Sequence, residues 1–479
     1  MTPTMLQALL PLLITVATAL VIMLAIAIRR DHLITVALAI LGLLGALVAT
    51  VAVTPLAPLP VTALLIVDRY SLFFTGLVLA AGLVIILLAY GYFTRLHESR
   101  EEFYLLLVLA LAGALVLVSS AHFVSFFLGV ELLSISLYAM IAYRREAPES
   151  VEAGLKYLIL AGVSSSILLF GMALVYADLG TMRLPDLTDR MLTTAGLFPS
   201  VLSVVGFLLI IVGIGFKLAL TPFHLWAPDV YQGAPLPVTA LITTVSKGAV
   251  FAVLLRIFPI LPANINAPIF TVLMAIALLS MLVGNLLALK QANLKRLLAY
   301  SSIAQMGYIL VAVLAGSATA VAFFLTAYFI TILGAFGVMT LLSGADGEKQ
   351  TLAEYRGLAW RHPWLTAILT AAMLSLAGIP LTSGFIGKFL VLNAGVGAGM
   401  WALVLVLVLS SGIGLYYYLR VVTALFQSAR ADATLPPPPV PALPALGGVA
   451  LAVLVLLLAW LGVYPAPFIH LITTMLGQS

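Results

Sequence analysis

The sequence predicts an all-α polytopic membrane protein of about fourteen transmembrane helices, and three observations predict it. Hydrophobic residues make up 63% of the 479 and charged residues only 8%, against roughly 45–50% and about 25% in a soluble domain. The mean hydropathy is +1.23. The apolar residues gather into runs of the roughly 20 residues that a hydrocarbon core needs, and Lys and Arg punctuate those runs.

Taken in order, the spans read as 4–28, 33–55, 70–94, 103–119, 121–143, 150–177, 199–221, 236–260, 267–289, 294–315, 318–343, 363–393, 400–427 and 445–474. The first has no Lys or Arg before it, is too long for a signal h-region and ends at Arg29 and Arg30, so it reads as a retained helix. Of the 22 Lys and Arg, 15 fall on alternate connections, among them Arg144, Arg145, Lys295 and Arg296. Only Arg69, Arg183, Arg190 and Arg256 fall on the other side, and Lys217, Lys247 and Lys388 lie inside spans. The positive-inside rule makes the first set cytoplasmic, which puts both termini outside. Two connections are longer: 178–198, read as outside, and 428–442 with PPPP at 436–439, read as an extended inner connector.

Several function classes drop out. The isoelectric point of about 9.3 does not indicate nucleic acid, because the basic residues are scattered through short loops. With no cysteine, disulfides, iron–sulfur ligation and Cys-based zinc sites are excluded within the chain. The six His stand apart in sequence, and no Gly-rich phosphate loop follows a strand pattern. The expectation is a chain with no cofactor, metal or nucleotide of its own, folded as one membrane domain over 1–479.

Four ionisable residues sit where hydrocarbon is expected. Glu131 lies in the middle of AHFVSFFLGVELLSISLYAM, where an acid costs about 2.5–3.5 kcal/mol on insertion scales. It is either a structural acid bonded to a neighbouring helix or an ion-pathway carboxylate paired with a buried cation. Lys217 precedes Pro222 in IVGIGFKLALTPFHLW; it reads as a snorkelling lysine or as one beside a helix broken within the membrane. Lys247 lies near the centre of its span, too deep to snorkel easily, and Lys388 follows the Gly378/Pro380 break. Broken helices at membrane depth are tolerated only where protein or a wet cavity surrounds them. Breaks at corresponding places point to inverted repeats with a site at the midplane. Here the breaks fall in spans 7 and 12, which implies two five-helix repeats: spans 4–8 (103–260) and 9–13 (267–427). Spans 1–3 (1–100) and the C-terminal helix 445–474 stand outside them. A buried lysine whose charge is disfavoured by burial and favoured by a nearby carboxylate can load and release a proton, so a lysine row reads as a proton relay. His224, Ser246, Tyr300, Ser301 and Ser302 are candidate polar neighbours, each with a capping or packing alternative. Asp229 and Tyr231 are expected in the loop after the first break, and Asp68 and Arg69 at a helix start.

GVELLS around Glu131, GFKLALTPFHLWAPDVYQGAP from Gly215, the pair Ser246–Lys247, NLKRLLAYSSIAQMGY from Asn293 and LSLAGIPLTSGFIGKF from Leu374 resemble the antiporter-like membrane subunits of respiratory complex I, nearest the N-type branch. The resemblance runs from the first helix to the last. The L-type branch carries an additional lateral helix, and the M-type typically has a glutamate where Lys388 stands. The resemblance implies a fourteen-helix inverted-repeat fold in a bacterial inner membrane, beside K- and M-type subunits. NADH, FMN, iron–sulfur clusters and quinone would belong to partner subunits of the NADH–quinone oxidoreductase. It implies further that Glu131 and Lys217 form a modulating ion pair, that Lys247 is the central relay and that Lys388 exchanges with the outer half-channel. Two other readings use the same residues or none: an Mrp-type Na⁺/H⁺ antiporter, and a structural scaffold with vestigial charges.

Overall fold

The computed structural model describes residues 2–95, 100–194, 200–258, 263–343, 347–427 and 445–477. The inner connector with its PPPP run, and residues 195–198 of the outer connection, lie outside the described residues. Among those described, thirteen helices are long and apolar enough to cross a bilayer, and a further crossing is split in two. We number the crossings in chain order. The first three are α1 (Leu10–Ile28), α2 (His32–Ala52) and α3 (Arg69–Arg95). The next five are α4 (Glu101–Val118), α5 (Phe123–Ile141), α6 (Pro148–Leu179), α7 (Val201–Leu218, resuming as Trp226–Gly233) and α8 (Leu236–Ile257). Then come α9 (Ala263–Leu289), α10 (Leu294–Leu314), α11 (Ala318–Leu342), α12 (Pro363–Ala377, resuming as Ser383–Gly397), α13 (Trp401–Phe426) and α14 (Ala445–Val463).

Polar residues at the run boundaries stop and start these helices. The Asp31 carboxylate accepts the Ile34 amide at 3.1 Å at the start of α2, and Asn293 accepts the Arg296 amide at 3.1 Å at the start of α10. Each satisfies an amide that has no partner within the helix. Asp68 accepts the Ser71 amide at 2.7 Å and opens α3, the helix start expected at Asp68 and Arg69. Gly180, left-handed at φ 67°, ends α6, the conformation glycine adopts without a Cβ penalty.

Helix α4 packs along α5 as α9 packs along α10, and both pairs are closed by glycine. A Cβ on Gly113 would lie 2.6 Å from the Leu133 amide nitrogen, and one on Gly129 2.8 Å from that of Leu117. In the later pair, a Cβ on Gly284 would lie 2.6 Å from the Ala304 nitrogen, and one on Gly307 3.0 Å from that of Met281. Such contact between backbones is how membrane helices associate without a hydrophobic driving force. The pairing falls at the same step of each five-helix unit, as do the breaks in α7 and α12. At each break a non-glycine residue takes a positive φ: Ala219 at 57° and Leu381 at 72°. This backbone costs about 1–3 kcal/mol and persists where the surroundings hold it.

Helices α8, α10 and α11 are buried along nearly their whole length and form the centre, while α1, α2, α6, α13 and α14 leave much of their surface outward. A helix apolar on every side is a buried helix, and the polar groups inside these three therefore face protein.

Several details differ from the expectations. The outer connection contains an amphipathic helix, Leu184–Thr194, too short and polar to register as a span. The C-terminal crossing ends at Val463, and Pro465 starts a separate helix, Ala466–Leu476, because a proline ends one helix and fits the first turn of the next. A two-stranded hairpin pairs Leu59–Pro60 with Ile66–Val67 between α2 and α3. Asp229 and Tyr231 are not in a loop but in the second segment of α7, where Asp229 bridges Lys156 of α6 (2.9 Å) and Arg296 of α10 (2.6 Å). Lys295, counted among the loop charges, is fully buried in the first turn of α10, because Glu348 folds back over that helix start and pairs with it at 2.7 Å.

Candidate functional site

The first polar cluster lies among α5, α6 and α7. Glu131 is half-buried on α5, and one oxygen accepts a hydrogen bond from Ser165 of α6 at 2.5 Å. Lys217 sits in the last turn of α7 before the break, buried at 5% exposure. Its ammonium donates to Ser134, three residues past Glu131 on α5, at 2.6 Å, and stands 5.3 Å from the Tyr157 ring centre. The ion pair expected between Glu131 and Lys217 is not a direct one. The ammonium meets the Ser134 hydroxyl a turn away, and Ser165 occupies the carboxylate. The cluster holds both charges on neighbouring turns with a serine on each.

Lys247 is at the centre of the bundle and fully buried. Immediately before it, residues Ile242–Ser246 form a π turn, an inserted residue of the kind found often at functional positions in helices. The Lys247 ammonium donates to Ser302 of α10 at 2.6 Å, and the same hydroxyl oxygen accepts from Tyr328 of α11 at 2.6 Å. Tyr231 lies below, its ring centre 5.6 Å from the ammonium and its hydroxyl 3.4 Å from Ser302.

Ser301, the next residue, faces α13 and shares a 2.5 Å hydrogen bond with Tyr418. Gln305, one turn further along α10, donates to Tyr418 (3.2 Å) and to the Leu376 carbonyl (3.1 Å). That carbonyl also accepts from Lys388 at 2.8 Å. Lys388 is buried at 7% exposure, on the second half of α12. It donates further to the Ala377 carbonyl (2.9 Å) and to Ser411 of α13 (2.9 Å). Leu376 and Ala377 end the first half of α12, so the ammonium meets the negative end of a helix whose last carbonyls have no partner within it. A cavity with about 10 Å³ of free volume, bordered by Tyr328, Thr331, Ser375 and Lys388, has room for about one water molecule. Polar contacts therefore extend from Lys247 through Ser302 to Tyr328, which borders the cavity together with Lys388, and a separate cluster of Ser301, Tyr418 and Gln305 meets Lys388 at the shared Leu376 carbonyl.

The candidate neighbours fare differently. Ser301 and Ser302 lie in the network. Ser246 is buried in the π turn. His224 is buried in the α7 break, its Nδ1 without a hydrogen-bond partner among the described residues. Tyr300 is half-buried and packs with the apolar core; one helical step of about 100° turns it away from the face that carries Ser301. The network's Ser134, Ser165, Gln305, Tyr328, Tyr418 and Ser411 carry no sequence expectation, and Tyr231 was expected only in the loop after the first break. The spacing of Ser301 and Gln305, four apart and so on one face of the helix, was a readable signal.

Residues 120–414 match the family described as NADH:quinone oxidoreductase/Mrp antiporter, transmembrane. A relative from Ectopseudomonas mendocina, named NADH-quinone oxidoreductase subunit N, is 49% identical over 97% of this chain and 95% of its own length. A chain of respiratory complex I from Thermus thermophilus superposes with a TM-score of 0.81 at 33% identity, covering 96% of this chain and 98% of that one. A chain of the Mrp complex from Dietzia sp. shares the fold at TM-score 0.83 and 23% identity, over 99% and 97% of the two chains. The near-complete length of the match to the Ectopseudomonas subunit N, on a bundle of fourteen crossings with buried lysines at its centre, places the chain: it belongs to the subunit N family of NADH-quinone oxidoreductases.

Proposed function

We propose that the chain is a proton-translocating subunit in the membrane arm of an NADH:quinone oxidoreductase, driven by redox chemistry in partner subunits that carry the NADH site, FMN, iron–sulfur clusters and quinone. The observation that carries this reading is the line of buried polar groups that runs from Lys247 through Ser302 and Tyr328 to the cavity Lys388 borders, at the centre of the bundle. Ionisable residues buried in a membrane are expensive and mark ion pathways. In the proposed cycle, charge movement at the Glu131–Lys217 cluster alters how firmly Lys247 holds its proton. Once Lys388 has released its proton outward, Lys247 gives a proton to the Ser302 oxygen; Ser302 passes its own hydroxyl proton to Tyr328 after that phenol turns from donor to acceptor, and Tyr328 passes its own through the one-water cavity to the neutral Lys388 amine. The carbonyls of Leu376 and Ala377 stabilise the ammonium there until it releases outward. His224 is a candidate for linking the first cluster to this line.

The Mrp-type alternative uses the same fold with a cation gradient as the driving force. The polar atoms around Lys247 and Lys388 favour the proton. A sodium ion needs several oxygen ligands, whereas here two ammonium groups already occupy the hydroxyls and carbonyls. The scatter of Lys and Arg supports cytoplasmic placement of the Arg144, Lys290 and Lys349 connections, outward termini and an inner-membrane location. K- and M-type subunits are the proposed neighbours, with lipid around the rest.

Purification and reconstitution test the reading. The chain is expected to co-purify with flavin- and iron–sulfur-bearing subunits. In vesicles holding the assembled enzyme, Lys247→Ala is expected to reduce NADH-driven proton uptake about tenfold or more. An assembled Lys247→Ala enzyme that pumps normally would remove Lys247 from the path, and isolation as a free-standing Na⁺-driven exchanger would favour the alternative.

A further inference from the structure

One buried ion pair lies outside the relay. Lys295 and Glu348 have side chains 0% and 5% exposed and meet at 2.7 Å. Glu348 also accepts the Tyr92 hydroxyl of α3 at 2.6 Å and the Leu236 amide, in the first turn of α8, at 2.9 Å. Lys295 donates in addition to the Ala234 carbonyl, just before α8, at 2.6 Å.

Every group around the Glu348 carboxylate donates to it: an ammonium, a phenol and a backbone amide at a positive helix end. Three donors from three different helices hold the carboxylate in one place, which suits an anchor. The anchored elements are informative. Leu236 begins α8, which carries Lys247 beyond the π turn at Ile242–Ser246. Lys295 lies seven residues before Ser302 on α10, about two turns. The same pair therefore ties together the start of the helix that bears the relay donor and the start of the helix that bears its acceptor. A π turn is an inserted residue whose place in a helix depends on where the helix ends are held, and its place sets which way Lys247 points.

We propose that Lys295 and Glu348 are positioning residues. They clamp the start of α8 to the start of α10, hold the π turn at 242–246, and so keep the Lys247 ammonium on Ser302. This rests on the relay reading above and adds to it a residue pair that touches no transported proton.

The test is a double-mutant cycle in vesicles carrying the complete assembled enzyme, read as protons taken up per NADH oxidised. Glu348→Ala is expected to lower this ratio at least fivefold with assembly retained. Ser302→Ala lowers it by removing the contact the clamp protects. In Glu348→Ala/Ser302→Ala the ratio is expected to be no lower than in Ser302→Ala alone, because residues acting through one contact are not additive. A purely structural role multiplies the two losses instead, and that result overturns the clamp, as does an unchanged ratio in assembled Glu348→Ala. If Glu348→Ala does not assemble, Tyr92→Phe decides. It removes one bond to the carboxylate and is expected to lower the ratio about twofold in the parent and not at all on the Ser302→Ala background; any other result overturns the clamp. The relay reading fails separately, if assembled Lys247→Ala pumps normally.

Discussion

Lys388 donates to the Leu376 carbonyl, twelve residues earlier in the chain, at 2.8 Å. The break in α12 lets a side chain on one half-helix neutralise the end of the other. In a continuous helix that carbonyl would be bonded to an amide and unavailable.

Lys388→Met keeps the bulk of the side chain and deletes the charge. It leaves the Leu376 and Ala377 carbonyls short of a donor and removes the last group of the line. The expected result is an assembled enzyme whose proton uptake falls about tenfold or more, read by dye quenching in vesicles. Pumping within twofold of the parent would place the outward path elsewhere.

Tyr328→Phe removes the hydroxyl that bonds Ser302 at 2.6 Å and borders the cavity. Proton uptake is expected to slow about tenfold or more, toward the typical general acid–base contribution of about 10²–10⁴. Tyr300→Phe serves as the comparison, since that hydroxyl lies off the network. Equal effects of the two substitutions would count against the Tyr328 route.

The fold and the charged residues were legible because the bilayer imposes a crude code: about 20 apolar residues to a crossing, and a heavy cost for each exception. Glu131, Lys217, Lys247 and Lys388 are such exceptions. Lys295 reads as a loop charge for the same reason: it stands beside Arg296 at a span boundary, and only the returning Glu348 buries it in the first turn of α10. The tyrosines and Gln305 were not legible, because a tyrosine in an apolar run also reads as packing. Which serine each charge bonds depends on the rotation of helices against one another, and that rotation is set by tertiary contacts such as the glycine pairs.

Outside the membrane spans, Asp68 is held by Arg256, with contacts of 2.9 and 3.1 Å. Burial pushes the Asp68 carboxyl up, but the charge and hydrogen bonds of Arg256, with those of Ser71, hold it net below the usual carboxylate range. A lowered value in the folded state means that the pair stabilises the fold above the unfolded value of about 3.9 and is lost as pH falls through the folded one. Asp68→Asn is expected to cost about 1–3 kcal/mol at pH 7, seen as a lower Tm in detergent, with the gap to the parent closing below about pH 4. A gap that is constant from pH 7 to 3 would show that charge plays no part.

Gly129→Ala places a methyl 2.8 Å from the Leu117 nitrogen, and Gly284→Ala one 2.6 Å from that of Ala304. Each is expected to destabilise by about 1–3 kcal/mol through overpacking. Gly162→Ala, which meets nothing within 4 Å, is expected to leave Tm within about 1 °C or raise it slightly, as alanine favours the helix. Equal Tm values for all three would mean that α4–α5 and α9–α10 separate at no cost.

The burial of α8 on all sides also bears on how the protein is made. Lys247 bonds a serine 55 residues later in the chain. At about 5–20 residues per second that partner is synthesised roughly 3–11 s afterwards. Over that interval α8 carries a lysine costing about 2.5–3.5 kcal/mol on insertion scales, with neither α10 nor α11 present to enclose it. The helix that forms the centre of the finished bundle is thus among the least able to rest alone in lipid. Its stable insertion is tied to the arrival of the second repeat, so a chain truncated after α8 would be recognised by the quality-control machinery as unfinished.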